Sequence, residues 1–397
     1  MVPPFISLAT GAFIFAAAVL NFMPGLEVAD RAAGLVLTLI VFARAARYPL
    51  ALPPELLLFA LWVVWATMPG LLGIAAFGEF WVQWKKLAQL VILILVLTNV
   101  TRDGRTLTWN LLFLLAAVGL LVLINELWRD RLYFADRNRD ESILQNSNLY
   151  ASALLYGMMV LAYLWTITPG TALIRRSMYA GAAAVLFQQM IRTGSRKMLI
   201  GTALFAILWI FFVYRREVVR RPSVLVAIIF FGGLAIAGGS YAMRDTVMAD
   251  RFSRTAAAIE GESVHSSGAE RVDLFREGLR VAALQPIFGV GVGGFPYYSS
   301  AEMMAHNEYL DVTIVSGFVG AAVYFGLMVV LWYRNAQLAK AGDAVTRRTC
   351  QLFKAILLTF AVLAIGRWFY DDTHFWILIG CFIGYIHAQT QRCRGVT

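Results

Sequence analysis

The chain has 397 residues, of which 60% are hydrophobic and 15% charged, and its net charge is +10. With a mean hydropathy of +0.69, this balance excludes a soluble domain and indicates a polytopic membrane protein. The basic residues lie in short loops between apolar runs, where membrane topology and anionic head groups explain them better than nucleic acid does. We therefore expect membrane lipids as partners and no nucleic acid.

Apolar stretches of about 20 residues are long enough to span a bilayer as helices. The sequence offers twelve candidates, at 5–23, 31–46, 54–74, 84–100, 107–126, 148–167, 177–191, 197–214, 223–242, 307–332, 351–368 and 374–390. The first lacks a basic leader and an Ala-x-Ala site, so we expect a spanning helix there rather than a signal peptide. With no internal repeat or linker, the sequence predicts an all-α polytopic protein with a single membrane domain over residues 1–397.

Lysine and arginine in alternate loops predict that both termini lie in the cytoplasm. The loops of the opposite side, which is the periplasm if the host is a Gram-negative bacterium, also carry arginines, and the largest of these loops is 243–306. Positive charge there opposes the topology rule and needs another cause. An anionic ligand such as phosphate, which suits the guanidinium group, is one explanation. Ion pairs with acidic residues of the same loops are the alternative, and the sequence leaves both open.

A short polar junction, Thr193–Lys197, separates two apolar runs. Gly194 and Ser195 are suited to capping the next helix, whose N-terminus favours anions. Arg196 adds a bidentate donor, so we expect it to bind a ligand. Arg192 and Lys197 are explained more simply by contact with lipid head groups.

Asn148 lies at the start of the sixth apolar stretch. Its amide is equally suited to binding sugar hydroxyls and to capping the helix.

The long loop contains a predicted amphipathic helix at the membrane surface. It begins with the capping-box spacing of Ser267–Glu270 and ends before Pro286. One side of this helix is apolar, Arg271 lies at the edge of that side, and Arg276 and Arg280 lie beyond it. The apolar residues are Val272, Phe275, Leu279 and Ala283.

The glycine-rich segment Phe288–Phe295 follows the predicted amphipathic helix. It lacks the βαβ context of a dinucleotide loop and predicts a tight turn with close backbone approach.

His306 is one of four histidines and is the last residue of the long loop. On a regular helix it falls within roughly 40° of Leu310, Thr313, Gly317 and Gly320. Imidazole accepts protons well near neutral pH, so His306 is the candidate general base, with a structural helix cap as the alternative. The competing bases are Glu308, Asp371 and Asp372.

Other catalytic chemistries find no support in the sequence. No cluster has metal-site spacing, and no Gly-x-Ser-x-Gly motif occurs. The three cysteines predict neither a disulfide nor a metal site, and we expect no cofactor.

The sequence resembles the bacterial O-antigen ligase family, within the superfamily of ligases, polymerases and protein O-oligosaccharyltransferases. His306-Asn307, nine residues, Gly317, two residues and Gly320 resemble the ligase motif that follows the large periplasmic loop. Arg196, just before the eighth apolar stretch, resembles an arginine of that family. Arg271 and the glycine-rich segment Pro286–Phe295 resemble the loop region that precedes the histidine in the family. The resemblance covers the whole chain and implies a GT-C-like architecture of about twelve membrane helices.

The resemblance implies an inverting glycosyltransferase of the bacterial inner membrane, acting at the periplasmic side without metal or nucleotide sugar. The donor is a glycan on undecaprenyl pyrophosphate, and the acceptor is a sugar hydroxyl of lipid A–core. His306 is then the base, while Arg196 and Arg271 bind the pyrophosphate. Six residues are further candidates for donor or acceptor contacts: Asn148, Arg192, Lys197, Arg276, Asn307 and Tyr309.

Three alternative functions remain. A polymerase uses the same donor, and Arg280, ten residues and Gly291 resemble a pattern of the polymerase relatives. A protein O-oligosaccharyltransferase is less expected, because no large soluble C-terminal domain is evident. A lipid-linked glycan flippase or transporter belongs to a different class, but such proteins place ionisable groups near the midplane of repeated halves. No sequence feature predicts an oligomeric state.

Overall fold

The computed structural model describes residues 4–20, 27–45, 49–75, 78–127, 147–220, 267–299 and 305–395. Within these residues the regular secondary structure is helical. The helices are α1 Pro4–Leu20, α2 Glu27–Ala45, α3 Pro54–Trp65, α4 Met68–Leu71, α5 Glu79–Val100, α6 Gly104–Leu127, α7 Ser147–Ile167, α8 Leu173–Arg192, α9 Arg196–Arg220, α10 Ser267–Leu284, α11 Phe295–Tyr298, α12 Glu308–Ala341, α13 Ala344–Leu363 and α14 Thr373–Cys393.

The predicted apolar stretches within the described residues coincide with helices, and the stretch 54–74 contains both α3 and α4. The stretch 223–242, and residues 243–266 and 300–304 of the loop, lie outside the described residues. Among the described residues, six helical segments are long and apolar enough to cross a membrane, and the first of them comprises α3 and α4. They are Pro54–Leu71, Glu79–Val100, Gly104–Leu127, Asn148–Ile167, Arg196–Arg215 and Glu308–Ala341. The chain is therefore a helical, multi-pass membrane protein.

Helix α7 lies at the centre of the described bundle. It packs against α6, α8, α9, α13 and α14. Of its most apolar 18 residues, 89% are buried. Its Tyr156 and Tyr163 are among the largest fully buried side chains. A helix that is apolar on all sides is suited to this central position. Asn148, in the first turn of α7, contacts Ser195 at the start of α9 and Arg367 between α13 and α14.

Helix α12 is broken at Gly317, whose φ of 66° and ψ of −178° are not helical. The glycine-rich segment fills the break, because Val290 and Gly291 donate to the carbonyl oxygens of Ile314 and Val315 at 2.8 and 3.2 Å. The Phe318 amide donates to the Pro286 carbonyl oxygen at 2.7 Å. These bonds satisfy backbone groups that a broken membrane helix leaves free. The expectation of one regular helix face from His306 to Gly320 is therefore wrong.

The glycines at this junction are required by contact as well as conformation. A Cβ atom on Gly317 would lie 2.2 Å from the Ile287 carbonyl oxygen, and one on Gly289 would lie 2.5 Å from the Ser316 amide nitrogen. Both residues have positive φ angles, at 66° and 77°. The predicted close backbone approach of the glycine-rich segment is confirmed.

Substitution of Gly317 by alanine should destabilise the protein by at least about 2 kcal/mol, because alanine adds a backbone clash to an unfavourable φ. Gly326→Ala is the matched control, since a Cβ there meets nothing within 4 Å. Thermal unfolding in detergent measures both variants. Equal melting temperatures would show that the break tolerates a side chain.

Helix α10 packs on the first turns of α12 through Leu274, Gly278, Val281 and Ala282. The predicted amphipathic helix therefore exists, but its buried side differs from the apolar side expected from the sequence. Phe275 and Leu279, which belong to that expected side, are 43% and 52% exposed. They remain available for contact with the membrane surface.

Candidate active site

His306 lies immediately before α12 with φ at 57°, an unfavourable angle for a residue with a side chain. Asn307 is the N-cap, and its Oδ1 accepts from the Leu310 amide at 3.2 Å. The Asn307 amide in turn donates to the Asp311 carboxylate at 3.0 Å. The capping function thus belongs to Asn307, and the interpretation of His306 as the helix cap is wrong. These bonds fix the backbone around a half-buried imidazole.

Residues 364–372, which connect α13 to α14, form a strap beside His306. The indole ring of Trp368 lies 4.9 Å from the imidazole ring, centroid to centroid, with an interplanar angle of 35°. The Glu308 amide donates to the Ala364 carbonyl oxygen at 2.8 Å. The Tyr309 hydroxyl donates to the Ala361 carbonyl oxygen, at the end of α13, at 2.7 Å. The strap therefore holds the start of α12 and contacts the candidate base.

Glu308, a competing candidate for the base, is only 4% exposed. One carboxylate oxygen accepts from the amides of Phe369 and Tyr370 in the strap. The other accepts from the Tyr324 hydroxyl at 2.5 Å. Both oxygens are therefore occupied by structural hydrogen bonds.

Asp372 is buried at the end of the strap, where it accepts from Arg367 at 2.6 Å and from the Tyr156 hydroxyl at 2.8 Å. Its other oxygen caps α14 through the amides of His374 and Phe375. Burial opposes ionisation, but the Arg367 guanidinium and these hydrogen bonds hold the pKa of Asp372 below its usual range. Asp371 pairs with Lys86 at 3.0 Å. Both aspartates thus have structural roles.

The N-terminus of α9 meets α7 at the same strap. The Ser195 hydroxyl donates to Asn148 Oδ1 at 2.9 Å, and Arg367 donates to the Asn148 carbonyl oxygen at 3.2 Å. Lys197 donates to the carbonyl oxygen of Gly366. Arg196 is the first residue of α9 and is half-buried. The strap therefore connects His306 with a helix N-terminus that carries two cationic side chains, an arrangement suited to an anion.

Two other predicted contacts, Arg192 and Arg276, lie beside acidic residues. Arg192 forms an ion pair with Glu126, which also accepts from Gln189 at 2.5 Å. Arg276 is exposed on α10 and lies 3.7 Å from Asp273. Arg271 belongs to α10, but its side chain is outside the part of the chain that the structure describes.

An apolar cavity of about 350 Å³ lies between α12 and α13. Glu308 and Tyr309 line it near His306, and Met328, Val329 and Trp332 line it further along α12. Its composition suits a hydrocarbon chain rather than a sugar.

Sequence reasoning missed Trp368 and Arg367. In the sequence, Asp371 and Asp372 are candidate bases, whereas Trp368 belongs to no recognisable motif. Its contact with His306 joins residues 62 positions apart, and no local pattern predicts such a contact.

A comparison of the sequence with curated proteins gave no match. Residues 181–325 match the family model described as O-antigen ligase. The matched region begins in α8, includes Arg196, Arg271 and His306, and ends in α12 after Gly317 and Gly320. This part of the chain, from α8 to α12, is therefore similar to the O-antigen ligase family.

Proposed function

We propose that the protein is an O-antigen ligase, which transfers a glycan from undecaprenyl pyrophosphate to a sugar hydroxyl of lipid A–core. The main support is the convergence of His306 and the α9 N-terminus on one strap, beside an apolar cavity. In this proposal the chain lies in the bacterial inner membrane with about twelve helices of GT-C-like arrangement. Both termini are cytoplasmic, and the site faces the periplasm.

The proposed reaction is a single displacement at the anomeric carbon. His306 accepts the proton of the acceptor hydroxyl as its oxygen forms the new bond to that carbon. The bond from the anomeric carbon to the pyrophosphate oxygen breaks, and the pyrophosphate leaves with the electron pair. Arg196 and Arg271 stabilise the charge that develops on it. The configuration at the anomeric carbon is inverted.

The cavity between α12 and α13 supports a lipid-linked donor. It begins beside Glu308 and Tyr309 and continues along apolar side chains of both helices. At about 350 Å³ it holds only part of a long polyprenyl chain. In the proposal, the isoprene units nearest the pyrophosphate lie here and the remainder lies in the bilayer.

Arg280 bears on the alternative of a polymerase. Its guanidinium pairs with Glu277 on the same helix. It also donates to the Tyr298 carbonyl oxygen at 2.6 Å, and this hydrogen bond connects α10 to α11. The spacing that resembles the polymerase pattern thus coincides with a structural contact in this chain. We therefore give the ligase precedence.

A product assay tests this choice. Purified protein is incubated with labelled lipid-linked glycan, with and without lipid A–core. A ligase transfers label to lipid A–core and shows little product without it. Growth of glycan on the lipid carrier would instead indicate a polymerase. Movement of intact donor across a vesicle membrane, without a new glycosidic bond, would indicate a flippase.

Arg196→Ala should reduce kcat/KM for the donor by about 10–100-fold, since a charge-assisted hydrogen bond contributes about 1.5–3 kcal/mol. KM for the acceptor should change little. Arg175→Ala, at the opposite end of α8, is the matched control because that arginine is exposed. An unchanged donor kcat/KM in Arg196→Ala would remove Arg196 from the pyrophosphate site.

A further inference from the structure

Glu308 connects the two structural units that meet at His306. Its backbone amide donates to Ala364 at the start of the strap at 2.8 Å. Its side chain accepts from Phe369 and Tyr370 further along the strap. Tyr324 lies after the break in α12, and its hydroxyl donates to the other carboxylate oxygen. A buried carboxylate with these donors fixes the strap to both parts of α12.

The position of Trp368 depends on these bonds. Trp368 directly precedes Phe369, whose amide donates to Glu308, and its indole packs against His306. His306 lies two residues before Glu308 in the chain. Glu308 thus anchors both sides of the contact between the indole and the imidazole.

The imidazole requires such external support because His306 lies outside the regular helix. Its φ of 57° places it in a left-handed turn before the N-cap. A general base must lie within about 2.6–3.2 Å of the proton donor's heavy atom. A misplacement of about 1 Å can lower the rate by about 100-fold. The contact with Trp368 is therefore placed to restrict the orientation of the ring.

We propose that Glu308 is a positioning residue, which acts through Trp368 to orient His306 toward the acceptor hydroxyl. This inference rests on the proposed function. It assigns no proton transfer to Glu308, because both of its carboxylate oxygens already accept hydrogen bonds from the protein. Glu308→Gln keeps the size of a side chain that lines the donor cavity, so it should affect turnover more than substrate binding.

A double-mutant cycle with Glu308→Gln and Trp368→Leu tests the inference. Each single variant should lower kcat by about 10–100-fold while KM for both substrates changes less than about twofold. The double variant should be no slower than the slower single variant, because the two residues act in series. Trp368→Phe should recover most of the rate lost in Trp368→Leu. Trp109→Leu, an exposed tryptophan of α6, controls for general loss of an indole.

The inference would be overturned if the fold-loss of kcat in the double variant equalled the product of the two single losses. It would also be overturned if KM rose as much as kcat fell. Thermal unfolding identifies variants that fail to fold. If Glu308→Gln does so, Tyr324→Phe replaces it, because that change removes only one donor to the carboxylate. Tyr324→Phe should lower kcat less than Glu308→Gln does, and it should have no further effect on kcat when combined with Trp368→Leu. A further loss of kcat in that combination would count against the inference. His306→Ala, measured in parallel, separates the two proposals: full activity would refute His306 as the base, whereas an inactive His306→Ala with multiplied losses would refute only the role of Glu308.

Discussion

Replacement of His306 by alanine should lower the rate of glycan transfer by about 10²–10⁴-fold, the usual contribution of a general base. The fold should persist, because hydrogen bonds that involve Asn307, Asp311 and Ala364 hold the start of α12. The measurement is the initial rate of transfer in reconstituted membranes, with donor and acceptor both saturating.

His306→Asn is the matched variant, because asparagine tolerates the left-handed φ of this position better than alanine does. Both variants should lose activity, while His306→Asn should keep the melting temperature closer to that of the wild type. A folded variant of either kind with the wild-type rate would show that His306 is not the base.

Replacement of Arg367 by methionine should cost about 3–5 kcal/mol of stability, because it leaves the Asp372 carboxylate buried without its counter-charge. The two side chains are only 9% and 8% exposed. The variant also loses the hydrogen bond to Asn148, which connects the strap to α7. Chemical denaturation in detergent, followed by circular dichroism, measures the change.

The double variant Arg367→Met/Asp372→Asn should be more stable than Arg367→Met alone, since it removes the unpaired charge. Arg348→Met is the control, because its pair with Glu217 is half-exposed and such pairs contribute at most about 1 kcal/mol. If Arg367→Met and Arg348→Met have equal effects, the buried pair does not stabilise the strap.

The same pair predicts the direction of a pH effect on stability. The pKa of Asp372 is lower in the folded protein than its usual value. Its contribution to stability is therefore complete above the pKa of the unfolded chain and is lost as the pH falls through the folded value. In Asp372→Asn, this part of the acid sensitivity should be absent.

The described membrane helices could be predicted from the sequence because each needs about 20 apolar residues, whatever its neighbours. The stretch predicted at 148–167 corresponds to α7 at Ser147–Ile167. His306 and Arg196 could also be identified as candidate site residues from the sequence, because each lies at the end of an apolar run. Their local setting required no knowledge of tertiary contacts.

The broken helix and the strap could not be predicted in the same way. Gly317 and Gly320 suggested a smooth helix face, but the φ of Gly317 depends on hydrogen bonds to a segment about 30 residues earlier in the chain. The sequence favours lipid head groups as the partners of Arg192, but in the structure this arginine pairs with Glu126 on α6. A contact between separate helices could not be predicted from local sequence. Long-range contacts of this kind decide which charges remain available to a ligand.

The configuration of the new glycosidic bond tests the proposed single displacement most directly. Purified protein is supplied with lipid-linked glycan of known anomeric configuration and with lipid A–core, and the product linkage is determined by NMR. Direct attack by a hydroxyl activated by His306 predicts glycan joined to lipid A–core with inverted configuration. Retained configuration, or a glycan trapped covalently on the protein, would contradict the account.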